Sequence, residues 1–99
     1  MAAYLIVDLE VNDSEKIAEY RRSAGPTVAK HGGRLLVRNG AREVLEGSWT
    51  PKELLIIEFP SMQELKNWYN SEEYRPLIDV RKAAARGNLI AIEGVQAVQ

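Results

Sequence analysis

Apolar residues occupy both alternating positions of a strand in four short stretches of this chain: Tyr4-Leu-Ile-Val7, Leu35-Leu-Val37, Leu54-Leu-Ile-Ile57 and Leu89-Ile-Ala-Ile92. Successive strand side chains point to opposite faces. A sheet made from these stretches is therefore apolar on both sides. Its own helices can cover one side, and the other side must find a second cover or face water.

The segments between the strands supply the helices. Ala3 to Val11 reads as a first strand. Asp13 or Ser14 can cap the helix that follows, with Ile17, Tyr20 and Ala24 at helical spacing. Gly25-Pro26 is expected to interrupt that helix, because proline is acceptable in a first turn but not in a helix interior. A second helical stretch then runs from Thr27 to His31 and stops at Gly32-Gly33. Arg34 to Arg38 is a second strand. Asn39-Gly40 signals a tight hairpin, with Glu43 to Glu46 returning as a short extra strand. Glu53 to Phe59 is a third strand, ended by Pro60. Ser61-Met-Gln-Glu64 has the capping-box pattern and opens a helix with Leu65, Trp68 and Tyr69. Asn70-Ser71 interrupts it and Pro76 restarts it. Arg86-Gly87-Asn88 is expected to end it, and Leu89 to Val95 forms the last strand.

This order is that of an α+β, ferredoxin-like βαββαβ sandwich: a four-stranded antiparallel sheet with its helices on one face. The whole chain, residues 1–99, reads as one domain. Alternation assigns Leu5, Val7, Leu9, Leu35, Val37, Leu55, Ile57, Phe59, Ile90 and Ile92 to the helix-covered face. The opposite face carries Tyr4, Ile6, Leu36, Leu54, Ile56, Leu89 and Ala91. Exposed apolar patches of that extent are unusual on soluble monomers. The expected cover is a second copy packed sheet to sheet, a two-fold homodimer. Asp8, Arg34, Arg38, Glu58 and Glu93 interrupt this second face. They can rim the dimer interface with ion pairs, or line the part the partner leaves open, which would then be a small-molecule cleft.

Composition removes several classes. There is no cysteine, so neither disulfides nor thiolate metal sites can support the fold. Net charge is −1 with both signs interspersed, unlike a nucleic-acid binder. No apolar run reaches membrane-spanning length, and the first residues lack the basic region of a signal peptide. No nucleic-acid or membrane partner is expected, and the expected compartment is the cytoplasm. There is no glycine-rich phosphate loop, nucleophile elbow or metal-ligand cluster, and no cofactor is expected.

Few residues can carry chemistry. His31 is the only histidine, so any imidazole proton transfer near neutral pH must use it. Its place at a helix end also gives it a purely structural role, bonding terminal carbonyls. Trp49 sits in a polar loop and can plug an interface or wall a pocket. Trp68 and Tyr69 are adjacent on a helix, so one belongs to the core and the other to a rim. Tyr74 lies in the broken segment and can reach either way. Arg81 can pair with Glu58 or with an anionic ligand.

The motifs His31-Gly-Gly-Arg34, Leu45-Glu-Gly-Ser-Trp49, Glu58-Phe-Pro-Ser61, Trp68-Tyr-Asn-Ser71-Glu-Glu-Tyr74 and Arg81-Lys-Ala-Ala-Ala-Arg86 together resemble the domain of unknown function 1330 family. The resemblance runs from Tyr4 to about Val95. It implies a dimeric α/β barrel, in which ferredoxin-like domains pair sheet to sheet. It also places the family's recurring positions on His31, Gly33, Glu46, Gly47, Trp49, Glu58, Tyr69, Ser71, Tyr74 and Arg81. The wider superfamily includes cofactor-free monooxygenases, muconolactone-type isomerases, haem-degrading enzymes and stress-responsive proteins.

Three functions stay open on this reading. The first is a cofactor-independent, oxygenase- or isomerase-like enzyme acting on a small organic acid or phenolic compound. His31 and Glu58 are its catalytic candidates, and Trp49, Tyr69, Tyr74, Arg81 and Arg34 its ligand-binding candidates. The second is a non-catalytic ligand-binding or stress-associated dimer. The third is a haem-handling protein with His31 as axial ligand.

Overall fold

A computed structural model describes residues 1–95. The elements run β1 (Ala3–Val11), α1 (Ser14–Lys30), β2 (Arg34–Arg38), β3 (Glu53–Phe59), α2 (Met62–Tyr69), α3 (Arg75–Ala84) and β4 (Ala85–Glu93). The four strands form one sheet in the order β2-β3-β1-β4, every pair antiparallel. This is the expected ferredoxin-like architecture. The last strand ends at Glu93, two residues before the expected Val95.

Local chemistry accounts for the element ends. The Asp13 carboxylate accepts from the Lys16 backbone N–H at 3.0 Å and caps α1. Gly32, with φ of +78°, takes the left-handed turn that ends it. The Ser61 hydroxyl accepts from the Glu64 N–H at 3.1 Å and caps α2. Between α2 and α3 the Ser71 hydroxyl donates to the Trp68 carbonyl at 2.7 Å and accepts from the Tyr74 N–H at 3.2 Å. It thereby stitches the break, and Pro76 sits where its missing N–H costs nothing.

Three further boundaries differ from the sequence reading. First, α1 is continuous through Gly25-Pro26. Proline in a helix interior forfeits one backbone hydrogen bond. The buried flanks Ala24 and Thr27 hold the helix to the core on either side, and tertiary packing overrides the break. Second, α3 gives way to β4 at Ala85, with no loop at Arg86-Gly87-Asn88. Gly87 is not a helix stop. It lies inside the strand opposite Leu9, and a Cβ built there would stand 1.9 Å from the Asp8 carbonyl oxygen. Third, residues 39–52 contain no strand, so the short hairpin after Asn39-Gly40 does not form. Asn39 does adopt a positive φ of 44°. Its side-chain oxygen then accepts from Arg42 and from the Leu54 N–H, while Arg42 donates to the Pro51 and Lys52 carbonyls. The loop closes on an arginine rather than on a ladder.

The strand register corrects the faces. On the helix-covered side one row reads Arg38, Leu55, Val7 and Leu89, and the next Leu35, Ile57, Leu5 and Ala91. The open side carries Val37, Ile56, Ile6 and Ile90 in one row across all four strands. Arg34, Glu58, Tyr4 and Ile92 form the row beside it. Leu89 and Ala91 thus face the helices, and Ile90 and Ile92 the open side, the reverse of the expectation. Because β4 starts four residues earlier than expected, its phase had nothing to anchor it. Glu93 pairs with Ala3 and leaves the open face too. In β2 a register shift between Leu35 and Val37 leaves Leu36 as an extra residue, which moves Val37 to the open side and Arg38 to the helix side.

The core lies between β1 and the helices. Ala3, Leu5, Val7 and Leu9 from β1 pack with Phe59, Ile17, Leu65, Trp68, Tyr74 and Ala84, all buried. Phe59, Trp68 and Tyr74 are its largest fully buried side chains. Their rings pack directly, 5.5 Å between the Phe59 and Trp68 centroids and 4.0 Å between Trp68 and Tyr74.

Candidate functional site

The two helical layers do not cover the sheet equally. The α2 helix lies against β1, β3 and β4, whereas α1 packs mainly on α3 and stands off the strands. Leu55 and Ile57 consequently remain only half-buried on the helix side. The space under α1 is a cavity of about 290 Å³, near the lower end of the range for small-molecule sites. Its floor is Leu5, Val7, Leu55 and Ile57, and its roof Ala24 and Val28 from α1. Tyr20, Arg21, Arg38 and Arg81 are its polar lining, and no aspartate or glutamate among the described residues lines it.

Arg81 is the group least expected in such a place. It is 6% exposed and forms no ion pair with any described carboxylate. Buried charges are ordinarily paired. Its Nη1 donates to the Tyr74 hydroxyl at 2.7 Å, which in turn shares a 2.7 Å hydrogen bond with the Tyr20 hydroxyl. Burial opposes the charge on the guanidinium, but the oxygens of Tyr74 and Tyr20 outweigh that and hold its pKa above the ordinary arginine value. Burial, and then Tyr20, pushes the Tyr74 phenol far above its ordinary value despite the pull of Arg81. Tyr74 is thus a neutral phenol at any physiological pH, and Arg81 a cation aimed at an apolar space.

A second polar chain backs the cavity wall. The Trp68 indole N–H donates to the Thr27 hydroxyl at 2.9 Å, and that hydroxyl donates to the Ala24 carbonyl at 2.7 Å. His31 Nδ1 lies 3.0 Å from the Thr27 carbonyl. A carbonyl only accepts, so Nδ1 carries the proton and Nε2 is left facing Glu73, 3.8 Å away. His31 therefore ties the end of α1 to the turn before α3, and it does not line the cavity.

The candidate residues fall into two groups on opposite sides of the sheet. Tyr74 and Arg81 are bonded beside the cavity. Tyr69 packs on their aromatic cluster, 5.9 Å from Tyr74 and 6.1 Å from Trp68 between ring centroids. On the open face, Arg34 Nε donates to Glu58 at 2.8 Å and Tyr4 donates to the same carboxylate at 3.2 Å. The Arg34 hydrogen bond, the largest influence, holds Glu58 below its ordinary pKa, with Tyr4 assisting against partial desolvation. The expected pairing of Arg81 with Glu58 is excluded, because the sheet separates them. Trp49 donates to the Asp8 carboxylate at 2.9 Å, and the Lys52 N–H donates to it at 3.1 Å, so the loop is pinned to the open side. The cavity lies under α1, not in the interrupted open face where a cleft was expected. Tyr20 was not among the candidates, and Arg38 was expected only as a charge on the open face. The helical stripe marked Tyr20 as inward-facing, but no sequence signal marked the register shift that brings Arg38 in.

Fold and cavity together define a ferredoxin-like α+β protein with an apolar, cation-lined pocket between its sheet and first helix. The chain belongs to the family described as domain of unknown function (DUF1330), which matches residues 2–95. No curated protein sequence matches it. Among solved structures it is similar to RPA0582, a protein of unknown function from Rhodopseudomonas palustris. The TM-score is 0.79 at 19% identity over 97% of this chain and 84% of that one. It is also similar to SnoaB, a cofactor-independent oxygenase from Streptomyces nogalater, with a TM-score of 0.67 at 9% identity over 98% and 96% of the two chains. A dimeric protein of unknown function and ferredoxin-like fold from Bacteroides fragilis aligns at a TM-score of 0.53 and 14% identity over 94% and 96%. Identities this low establish the shared fold alone. Among the described residues no helix is long and apolar enough to cross a membrane, and no cluster of acidic or histidine side chains could hold a metal ion.

Proposed function

We propose that this protein is a homodimer that binds a small, largely apolar organic acid or phenol in the cavity under α1. The single observation behind this is Arg81: a buried guanidinium without a carboxylate partner among the described residues, facing an apolar space. Keeping a charge there uncompensated is costly, and an anionic ligand supplies the missing countercharge. Leu5, Val7, Leu55 and Ile57 take its apolar body, and Arg81 and Tyr20 its oxygen. Trp68, Tyr74 and Tyr69 hold Arg81 and the wall in place without needing to touch the ligand.

The dimer follows from the open face. Val37, Ile56, Ile6 and Ile90 form a continuous apolar row there, with Ile90 59% exposed. A two-fold sheet-to-sheet pairing buries that row, and the Arg34–Glu58–Tyr4 cluster sits at its margin.

An enzymatic reading has one observation in its favour. A fixed cation lowers the pKa of a phenol or enol bound against it. The cavity could thus hold a substrate as its anion, the reactive form for cofactor-independent oxygenase- or isomerase-like chemistry. No lining side chain is a base near neutral pH, so a substrate with an acidic proton of its own fits and one needing a strong base does not. Glu58 belongs to the other face, and His31 acts through position. The haem reading has nothing comparable, since one nitrogen of His31 is engaged by Thr27 and the other faces Glu73.

Isothermal titration with 1-naphthoate and with neutral 1-naphthamide separates these ideas from an inert cavity. Binding of the acid with at least tenfold preference over the amide is the expected result. That preference should vanish in Arg81→Met checked for fold by circular dichroism. Equal affinity for acid and amide, or none for either, overturns the reading.

A further inference from the structure

Arg81 is not the only unpaired cation on the cavity. Arg38 lines it too, at the β2 edge, and its side chain makes no hydrogen bond or ion pair with any described residue. Its neighbour at that mouth, Arg21, is already neutralised by Glu53 at 2.8 Å. Arg38 reaches this side only because of the irregularity in β2. Simple alternation from Leu35 would send it to the open face. The extra residue Leu36 reverses the phase, and Arg38 then pairs with Leu55 on the cavity floor. Register irregularities of this kind commonly re-aim a side chain toward a site.

The two arginines reach one cavity from different elements, Arg38 from β2 and Arg81 from α3. Arg38, Leu55, Val7 and Leu89 form one row across all four strands. Arg81 projects from α3, and it lines the same cavity as Leu89 at the β4 end of that row. With strands about 4.8 Å apart, the row spans about 14 Å. An extended nine-carbon diacid, about 10 Å between its carboxyl carbons, fits within that span. The strand residues of that row between them, Leu55, Val7 and Leu89, are all aliphatic.

Resting on the proposed anion site, we infer that its ligand is doubly anionic: an apolar molecule with one acidic group held by Arg81 at the deep end and a second received by Arg38 at the mouth. Medium-chain α,ω-dicarboxylates, or an aromatic acid with a second acidic group at its far end, have this form. One buried and one exposed cation also give the two ends different weight. The deep group should set whether the ligand binds, and the outer group which ligand is preferred.

The test compares nonanedioate with nonanoate by isothermal titration against the wild type and Arg38→Gln. Arg38 is exposed and unbonded, so the substitution leaves the fold intact. The expected result is a loss of about fivefold in nonanedioate affinity, the upper range for an exposed ion pair, with nonanoate unchanged within twofold. Equal changes for both acids, or no change for either, overturn the inference while leaving the Arg81 site standing. Arg38 would then be only an inward charge that guards an edge strand. If neither acid binds the wild type, the anion site itself fails, and this inference with it.

Discussion

Replacing Tyr74 by phenylalanine removes one oxygen from a buried hydrogen bond to a charged group. That oxygen accepts from Arg81 at 2.7 Å and shares a proton with Tyr20 at 2.7 Å. The ring itself is fully buried against Trp68, and phenylalanine keeps its shape. A hydrogen bond to a charged group contributes about 1.5–3 kcal/mol, more than a neutral pair. Arg81 also borders the cavity, so water can replace part of the loss, and we expect about 2 kcal/mol of destabilisation. For a chain of this length that lowers Tm by about 8–16 °C. Tyr20→Phe removes only the neutral half-buried partner and should cost about 0.5–1 kcal/mol. Urea denaturation at one fixed protein concentration measures both, since a dimer's midpoint depends on concentration. In Arg81→Met the Tyr74 hydroxyl has already lost its charged donor, so the double variant should cost less than the sum of the two. Strict additivity, or a Tyr74→Phe cost no greater than that of Tyr20→Phe, would refute the reasoning.

Other outcomes follow from the same geometry. Gly87→Ala should destabilise by about 2–4 kcal/mol, because its Cβ meets the Asp8 carbonyl and only the backbone can yield. Gly25→Ala meets no atom beyond its chain neighbours within 4 Å, but should not stabilise α1, because a Cβ on the residue before Pro26 disfavours the helical backbone; thermal melts of the pair check both. Because the Tyr74 pKa is raised on folding, its contribution is fully present below the ordinary tyrosine value near 10 and is lost as pH rises above it. The fall in stability between about pH 10 and 11.5 should therefore be shallower in Tyr74→Phe, by at most about 1.4 kcal/mol per pH unit. Light scattering should give twice the chain mass for the wild type and a monomer for Ile90→Asp; a monomeric wild type would remove the reason given for the open apolar row.

The sequence displayed the architecture because strand alternation and helix caps are local. Ser61, Asp13, Gly32 and Pro76 act within one turn of themselves, and each acts where expected. The misplaced parts all depend on partners far along the chain. The phase of β4 is set by Gly87 against β1, and that close approach has no signature other than a glycine, which reads equally well as a helix stop. Pro26 reads as a break, and only packing on both sides keeps α1 whole. The site was partly legible: Tyr74 and Arg81 were singled out, and they touch. Their setting was not, because the cavity exists where α1 fails to lie on the sheet, and helix stand-off is a property of packing. Arg38 was placed on the wrong face by one unpaired residue in β2.

The central claim is that the cavity under α1, through Arg81, takes a small organic anion. Its most direct test is a titration of 1-naphthoate into isotope-labelled protein, followed in nitrogen–proton correlation spectra that include the arginine side chains. Saturable shifts are expected at the backbone amides of Gly25, Gly33 and Leu55 and at the Arg81 side-chain N–H, with the open-face amides of Ile6 and Ile90 unmoved. Shifts confined to the open face, or an Arg81 signal that never moves at saturation, would contradict it.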